Sequence, residues 1–191
     1  MKKLVIVLGS PSAGKTAIVS SLSKDRRYKI INFGTVMYDL AIKKKFVKDR
    51  DKMRYLDLDK QTDLRDAAAE QVAKIDGNVV LDMHAVVEQH GRFFPGLPHY
   101  MMNHFRHISG LFYIDAETDD ILARRKRDKT REREIESKWL IDTQRDINLS
   151  ILSFYSTDLN IPLYIIDNEE GKLNQSVKTF KTHLEDAFGE K

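Results

Sequence analysis

The sequence predicts an α/β protein, a parallel sheet covered by helices on both faces, and three observations carry that expectation. Strand-like apolar runs alternate with helix-patterned stretches along the whole chain. The first of these runs, Leu4-Val5-Ile6-Val7-Leu8, leads directly into Gly9-Ser10-Pro11-Ser12-Ala13-Gly14-Lys15-Thr16, which has the G-x-x-x-x-G-K-[ST] spacing of a phosphate-binding loop. No internal repeat or low-complexity linker interrupts the 191 residues, so one domain over 1–191 is expected.

The elements follow in order. After the first strand and the glycine loop, Ala17 to Lys24 carries Ile18, Val19 and Leu22 at helical spacing. Tyr28 to Phe33 reads as the second strand and Thr35 to Lys44 as a short helix. Asp49 to Ile75 is helical in composition, with a stripe of Leu56, Leu64, Ala67, Ala68, Val72 and Ile75. Val79-Val80-Leu81 is a brief buried strand ending at Asp82-Met83-His84. Pro95-Gly96-Leu97-Pro98 is expected to be irregular, because proline cannot donate a backbone hydrogen bond and biases its predecessor towards extended geometry. Leu111 to Ile114 is the fourth strand, Thr118 to Arg127 and Ile135 to Thr157 are helices, and Leu163 to Ile166 is the fifth strand. The amphipathic stretch Leu173 to Phe188 closes the chain. Right-handed crossovers would gather the strand ends and the glycine loop along one edge, as in a five-stranded P-loop NTPase fold.

Composition narrows the function classes. The chain has no cysteine, which excludes a disulfide framework, a thiolate metal site and a catalytic thiol. No apolar run approaches membrane-spanning length, and Met1-Lys2-Lys3 leads straight into a strand, so a cytoplasmic protein with no membrane partner is expected. The net charge of +3 is small, but arginine is concentrated in Arg124-Arg125-Lys126-Arg127-Asp128-Lys129-Thr130-Arg131-Glu132-Arg133. Such a run is either a solvated helix face or, beside a phosphate loop, a source of the guanidinium groups that phosphoryl transfer needs.

The loop makes a physical claim: a buried strand delivers the chain to a glycine turn, and a helix opening near Lys15 aims free N–H groups and its positive end at a polyphosphate. Gly9 to Thr16 would cradle ATP, with Lys15 on the β- and γ-phosphates and the Thr16 hydroxyl on Mg²⁺. Asp82, at the carboxyl end of a strand, is where a phosphate-loop enzyme holds Mg²⁺, the alternative being a helix N-cap. Strand alternation would aim His84 into the same cleft as Asp82, the alternative being a satisfied buried histidine.

Taken in order, Asn32-Phe33-Gly34-Thr35-Val36-Met37, Asp49-Arg50-Asp51-Lys52-Met53-Arg54, Asp82-Met83-His84, Pro95-Gly96-Leu97-Pro98 and Arg127 to Arg133 resemble the archaeal type of adenylate kinase across nearly the whole chain. The resemblance implies reversible, Mg²⁺-dependent conversion of ATP and AMP into two ADP, with residues 32–76 as the AMP-binding segment and 124–137 as a lid. It places Gly34, Thr35 and Met37 on the wall of the AMP pocket, Arg54 on the AMP phosphate, Gly96 at a turn near the nucleotide and Asn168 in a loop around the adenine of ATP. Lys15 with the lid arginines Arg124, Arg127, Arg131 and Arg133 are the implied catalytic groups, His84 is assigned to orientation of AMP, and a homotrimer is implied. One departure stands out: Glu88 occupies a position where the family carries a basic residue, and Arg92 is expected to substitute for it in AMP binding. The residues by themselves leave a CMP or UMP kinase open, and also an ATP-driven switch or assembly factor contacting RNA. Alternation of the basic run with acids, and flanks without stacking aromatics, weigh against nucleic acid.

Overall fold

The structure is a computed structural model that describes residues 3–89, 91–105, 107–127 and 137–190; of Asp51 and Arg54 it describes the main chain alone. The first strand, β1 (Lys3–Gly9), takes the centre of the sheet. It pairs in parallel with β3 (Asn78–Asp82) on one side and β6 (Ile108–Asp115) on the other, while β2 (Tyr28–Asn32) and β7 (Leu163–Asp167) form the edges. The order β2-β3-β1-β6-β7 is the expected five-stranded parallel sheet. A feature absent from the sequence expectation is an antiparallel hairpin of β4 (Val86–Gln89) and β5 (Arg92–Pro95).

Side-chain alternation explains why β1 is apolar throughout. Leu4, Ile6 and Leu8 face one layer with Leu81, Tyr113, Leu152 and Tyr155, and Val5 and Val7 face the other with Ile18, Phe112, Phe180 and Leu184. The first layer is covered by α3 (Leu58–Ala73), α4 (His99–Met102) and α6 (Lys138–Asp158). The second is covered by α1 (Lys15–Ser20), α5 (Thr118–Arg127) and α7 (Leu173–Phe188). Each fully buried aliphatic side chain contributes on the order of 1.5–3 kcal/mol to holding these layers together. A small separate cluster of Ala41, Val47 and Leu64 ties α2 (Phe33–Lys43) to α3, and Met37 packs against it.

Several boundaries differ from the sequence expectation, each for a local reason. Phe33 opens α2 instead of ending β2, because the Asn32 side chain accepts from the Thr35 amide at 2.9 Å and caps the helix there. The expected helix from Asp49 to Ile75 divides into a 3₁₀ turn, Arg50–Tyr55, and α3, because the Asp57 carboxylate accepts from the Lys60 amide and starts a new helix. The first helix begins at Lys15 and gives way to turns after Ser20. Helix α6 begins at Lys138 behind a Ser137 cap, and residues 128–136 lie outside the described part. Pro95 ends a strand, a position where its missing N–H costs no ladder bond.

The two described ends of the chain meet at the amino edge of the sheet. The Lys3 ammonium donates to the Phe188 carbonyl at 2.6 Å. The Glu190 carboxylate accepts from Arg27 at 3.1 Å, the Tyr28 hydroxyl at 2.7 Å and Asn78 at 2.9 Å.

Candidate active site

At the opposite, carboxyl edge, β1 ends at Gly9 and the chain turns through the glycine loop into α1. The turn needs two left-handed residues, Ser12 at φ 70° and Gly14 at φ 95°. It also needs close packing: a Cβ on Gly9 would stand 2.6 Å from the Ile114 carbonyl oxygen, and one on Gly14 2.1 Å from the Asn168 amide nitrogen.

The loop is gripped from outside by its main-chain carbonyls. Arg124 donates to the carbonyls of Ser12 (3.5 Å), Ala13 (3.2 Å) and Asn168 (2.7 Å), and Arg125 donates to Pro11 at 3.1 Å. The buried Asn168 side chain donates to Ala13 at 2.7 Å, while its main-chain amide is tied to Asp115 at 2.9 Å. Ser10 hydrogen-bonds the Tyr113 hydroxyl at 3.0 Å, and burial pushes that phenol above its ordinary range, so it stays neutral. Four carbonyl-directed contacts on one side fix the loop with its other face turned to the cleft, the arrangement a phosphate cradle requires.

Lys15 begins α1 and is buried, and its ammonium is ion-paired with Asp82 at the end of β3. The other Asp82 oxygen accepts from Asn32 at 2.8 Å. Thr16, Asn32 and Asp82 line one cleft of about 560 Å³ between α1 and β2. The loop lysine and the two expected metal ligands are therefore neighbours.

On the side expected to take the acceptor, Thr35 lies in the first turn of α2 with Gly34, 3.4 Å from whose Cβ position stands Asn32 Oδ1. Arg50 reaches the same place, 3.3 Å from Asn32 Oδ1 and 3.4 Å from Thr35 Oγ1. Met37 is half-buried and packs inward against the Leu4–Ile6–Leu8 layer and the small cluster of Ala41, Val47 and Leu64. The Arg54 side chain lies outside the described residues. His84 follows the end of β3 and is exposed, whereas Asp82 is buried.

Gly96 has a reason to be glycine within the fold itself: a Cβ there would stand 2.4 Å from the His84 carbonyl oxygen, and its amide donates to Ala85 at 2.7 Å. Glu88 is employed locally, accepting from the Gly91 amide at 2.6 Å to close the β4–β5 turn. Arg92 is exposed at the base of β5, paired with Gln89.

Of the expected lid arginines, Arg124 and Arg127 lie on α5, and Arg131 and Arg133 lie outside the described residues. Arg124 and Arg127 are both bound to Glu170, at 3.0 and 2.7 Å, and these guanidinium groups, Arg127 first, hold the Glu170 carboxyl below its usual range. Sequence reasoning missed Arg125, Asp115 and Arg145. Arg145 on α6 makes a two-pronged bond to the buried Asp115 (2.8 and 2.5 Å), which raises the guanidinium pKa further and fixes α6 to the end of β6 beside the loop. An aspartate at the end of an apolar strand was the available signal, the same signal that singled out Asp82.

Residues 8–141 match the AAA domain family. The chain is 31% identical over 185 residues to the adenylate kinase of Methanothermobacter thermautotrophicus, covering 96% of this chain and 100% of that one. It is 35% identical over 167 residues to the adenylate kinase of Thermoplasma acidophilum, covering 87% and 90% of the two chains. It is also 35% identical to that of Pyrococcus horikoshii over 176 residues, covering 90% and 89%. Among solved structures, a gluconokinase from Sinorhizobium meliloti superposes with a TM-score of 0.56 over 97% of this chain and 93% of that one, at 13% identity. A shikimate kinase from Bacteroides thetaiotaomicron superposes with a TM-score of 0.55 over 97% and 99% of the two chains, at 16% identity. At those identities the structural likeness establishes the α/β kinase fold and nothing finer.

Proposed function

The chain belongs to the adenylate kinase family, and on that premise we propose that its cleft binds ATP on the Gly9 to Thr16 loop and AMP against the 32–76 segment. An AMP phosphate oxygen attacks the γ-phosphorus, the bond from that phosphorus to the β,γ-bridging oxygen breaks, and two ADP result. The observation that carries this reading is the position of Lys15 and Asp82, joined to each other at the carboxyl edge and reached from the acceptor segment by Asn32.

An acceptor phosphate is already ionised at neutral pH, so no general base is required, and catalysis is positioning and charge stabilisation. The pinned loop offers its amides to the donor phosphates without reorganising. Lys15, released from Asp82, neutralises charge on the γ-phosphoryl group. Arg124 keeps the loop and the Asn168 turn in register. Arg127, with Arg131 and Arg133, supplies cations that close over the transferring group and exclude water.

Thr16 and Asp82 would hold Mg²⁺, which supplies electrostatic neutralisation of the bound polyphosphate. One hydroxyl and one carboxylate lining a common cleft suit a cation that keeps most of its ligands as water and phosphate. With Glu88 committed to the hairpin turn, Arg92 is the cation proposed for the AMP phosphate on that side. An Arg92→Ala enzyme with unchanged AMP KM and turnover would remove it from that role.

The test is to mix the protein with ATP, Mg²⁺ and each of AMP, CMP and UMP and to measure nucleoside diphosphate formation. ADP from ATP and AMP, with AMP the preferred acceptor, is the expected result. No ADP from a folded protein would overturn the reading, and preference for CMP or UMP would reassign the acceptor.

A further inference from the structure

Asn32 stands where β2 ends and α2 begins, and both ends of its carboxamide are engaged. The amide nitrogen donates to Asp82 Oδ2 at 2.8 Å, and the other oxygen of that carboxylate holds Lys15. The amide oxygen accepts from the Thr35 amide at 2.9 Å, from the Thr35 hydroxyl at 3.1 Å and from Arg50 at 3.3 Å. A continuous path therefore runs from Arg50 and Thr35 through one short planar group to Asp82 and Lys15. A side chain of this length that donates at one end and accepts at the other must be a carboxamide: aspartate cannot donate to Asp82, and serine cannot span both partners.

We propose that Asn32 is a positioning residue that couples the two nucleotide half-sites, so that occupation of the acceptor segment, felt through Thr35 and Arg50, orients Asp82 and releases Lys15 towards the donor phosphates. The proposal rests on reading the cleft as a two-nucleotide site. A planar amide transmits rotation at its oxygen to its nitrogen, and the bond to Asp82 is charge-assisted, the kind whose loss is felt most. Coupling of this sort is reciprocal: donor binding must tighten acceptor binding by the same factor as the reverse.

The competing role is helix capping alone, and substitution separates the two. Aspartate and serine cap helices about as well as asparagine. Asn32→Asp and Asn32→Ser thus keep the start of α2 and delete the donor to Asp82, one with added charge and one without.

Calorimetric titration of AMP and of the imido analogue of ATP, each alone and each in the presence of the other, reads the coupling directly. In the unaltered protein each nucleotide is expected to tighten the other by about fivefold or more. In both variants the affinity for either nucleotide alone should stay within about twofold, the mutual tightening should disappear, and kcat should fall by about ten- to a hundredfold. Mutual tightening retained in Asn32→Ser, or absent from the unaltered protein, would overturn the proposal. A loss confined to Asn32→Asp would also overturn it, because charge alone would then explain the effect. Failure of the unaltered protein to form ADP from ATP and AMP would instead overturn the two-nucleotide reading.

Discussion

Replacing Lys15 should cost stability as well as turnover, because its partner is left behind in the interior. The Lys15 and Asp82 side chains are 9% and 10% exposed. Removing one member of a fully buried pair costs about 3–5 kcal/mol, since the remaining charge is stranded. Here Asp82 would keep the bond from Asn32 and a sliver of solvent, which places the loss near the lower end, about 3 kcal/mol. At about 2–4 °C per kcal/mol for a chain of this size, Lys15→Met should melt roughly 6–12 °C below the unaltered protein. Asp82→Asn should lose a comparable amount, because its amide offers one oxygen to Lys15 but turns an NH2 on the Asn32 donor and removes the counter-charge. The double variant removes both charges together and should recover to within about 1 kcal/mol of the starting stability, while all three variants are inactive. Urea unfolding followed by circular dichroism, with turnover measured on the same samples, completes the cycle. A Lys15→Met midpoint equal to that of the unaltered protein, or a double variant as unstable as the sum of the singles, would refute the claim that the pair is energetically coupled.

Gly96→Ala should destabilise the fold by roughly 1–3 kcal/mol, because its Cβ would meet the His84 carbonyl oxygen at 2.4 Å and main chain must shift to admit it. A melting temperature within a degree of the unaltered protein would show that the turn yields freely. Glu170 is held below the ordinary glutamate range in the folded state by Arg127 and then Arg124. A depressed folded value means that its contribution is present above the unfolded pKa and is lost as pH falls through the folded one. Glu170→Gln should therefore lower stability slightly at neutral pH and flatten the acid limb, the two proteins converging as pH falls below the usual glutamate range. An unaltered acid limb would exclude Glu170 as a source of acid sensitivity.

The central strands were legible in the sequence because parallel strands buried on both faces are written as unbroken apolar runs, as in β1, β3 and β6. The phosphate loop was legible because its backbone demands glycine at fixed intervals. The hairpin from Val86 to Pro95 was not, because four-residue strands carry too few alternations to show a period and Pro95 argued against one. Glu88 looked anomalous for the same reason: without the turn in view, its bond to the Gly91 amide could not be seen. The lesson of Asn32 is similar. It opens the Asn32 to Met37 motif, yet its work depends on Asp82, fifty positions away, arriving beside it in β3. Arg124 reads as a lid group, and its described contacts are the carbonyls of Ser12, Ala13 and Asn168 and the Glu170 carboxylate, because a sequence shows charge but not which oxygen the charge will meet.

The knot that draws Lys3 to Phe188, and Glu190 to Arg27, Tyr28 and Asn78, lies at the starts of β1, β2 and β3. The seven residues of β1, at about 3.3 Å each, put roughly 20 Å between that knot and the nucleotide cleft. Lys3 and Glu190 therefore both lie on the side remote from catalysis. A reporter or an immobilising tether can be fused at either place without shading the entrance, and a short linker joining the two would allow a new chain start to be opened elsewhere on the surface.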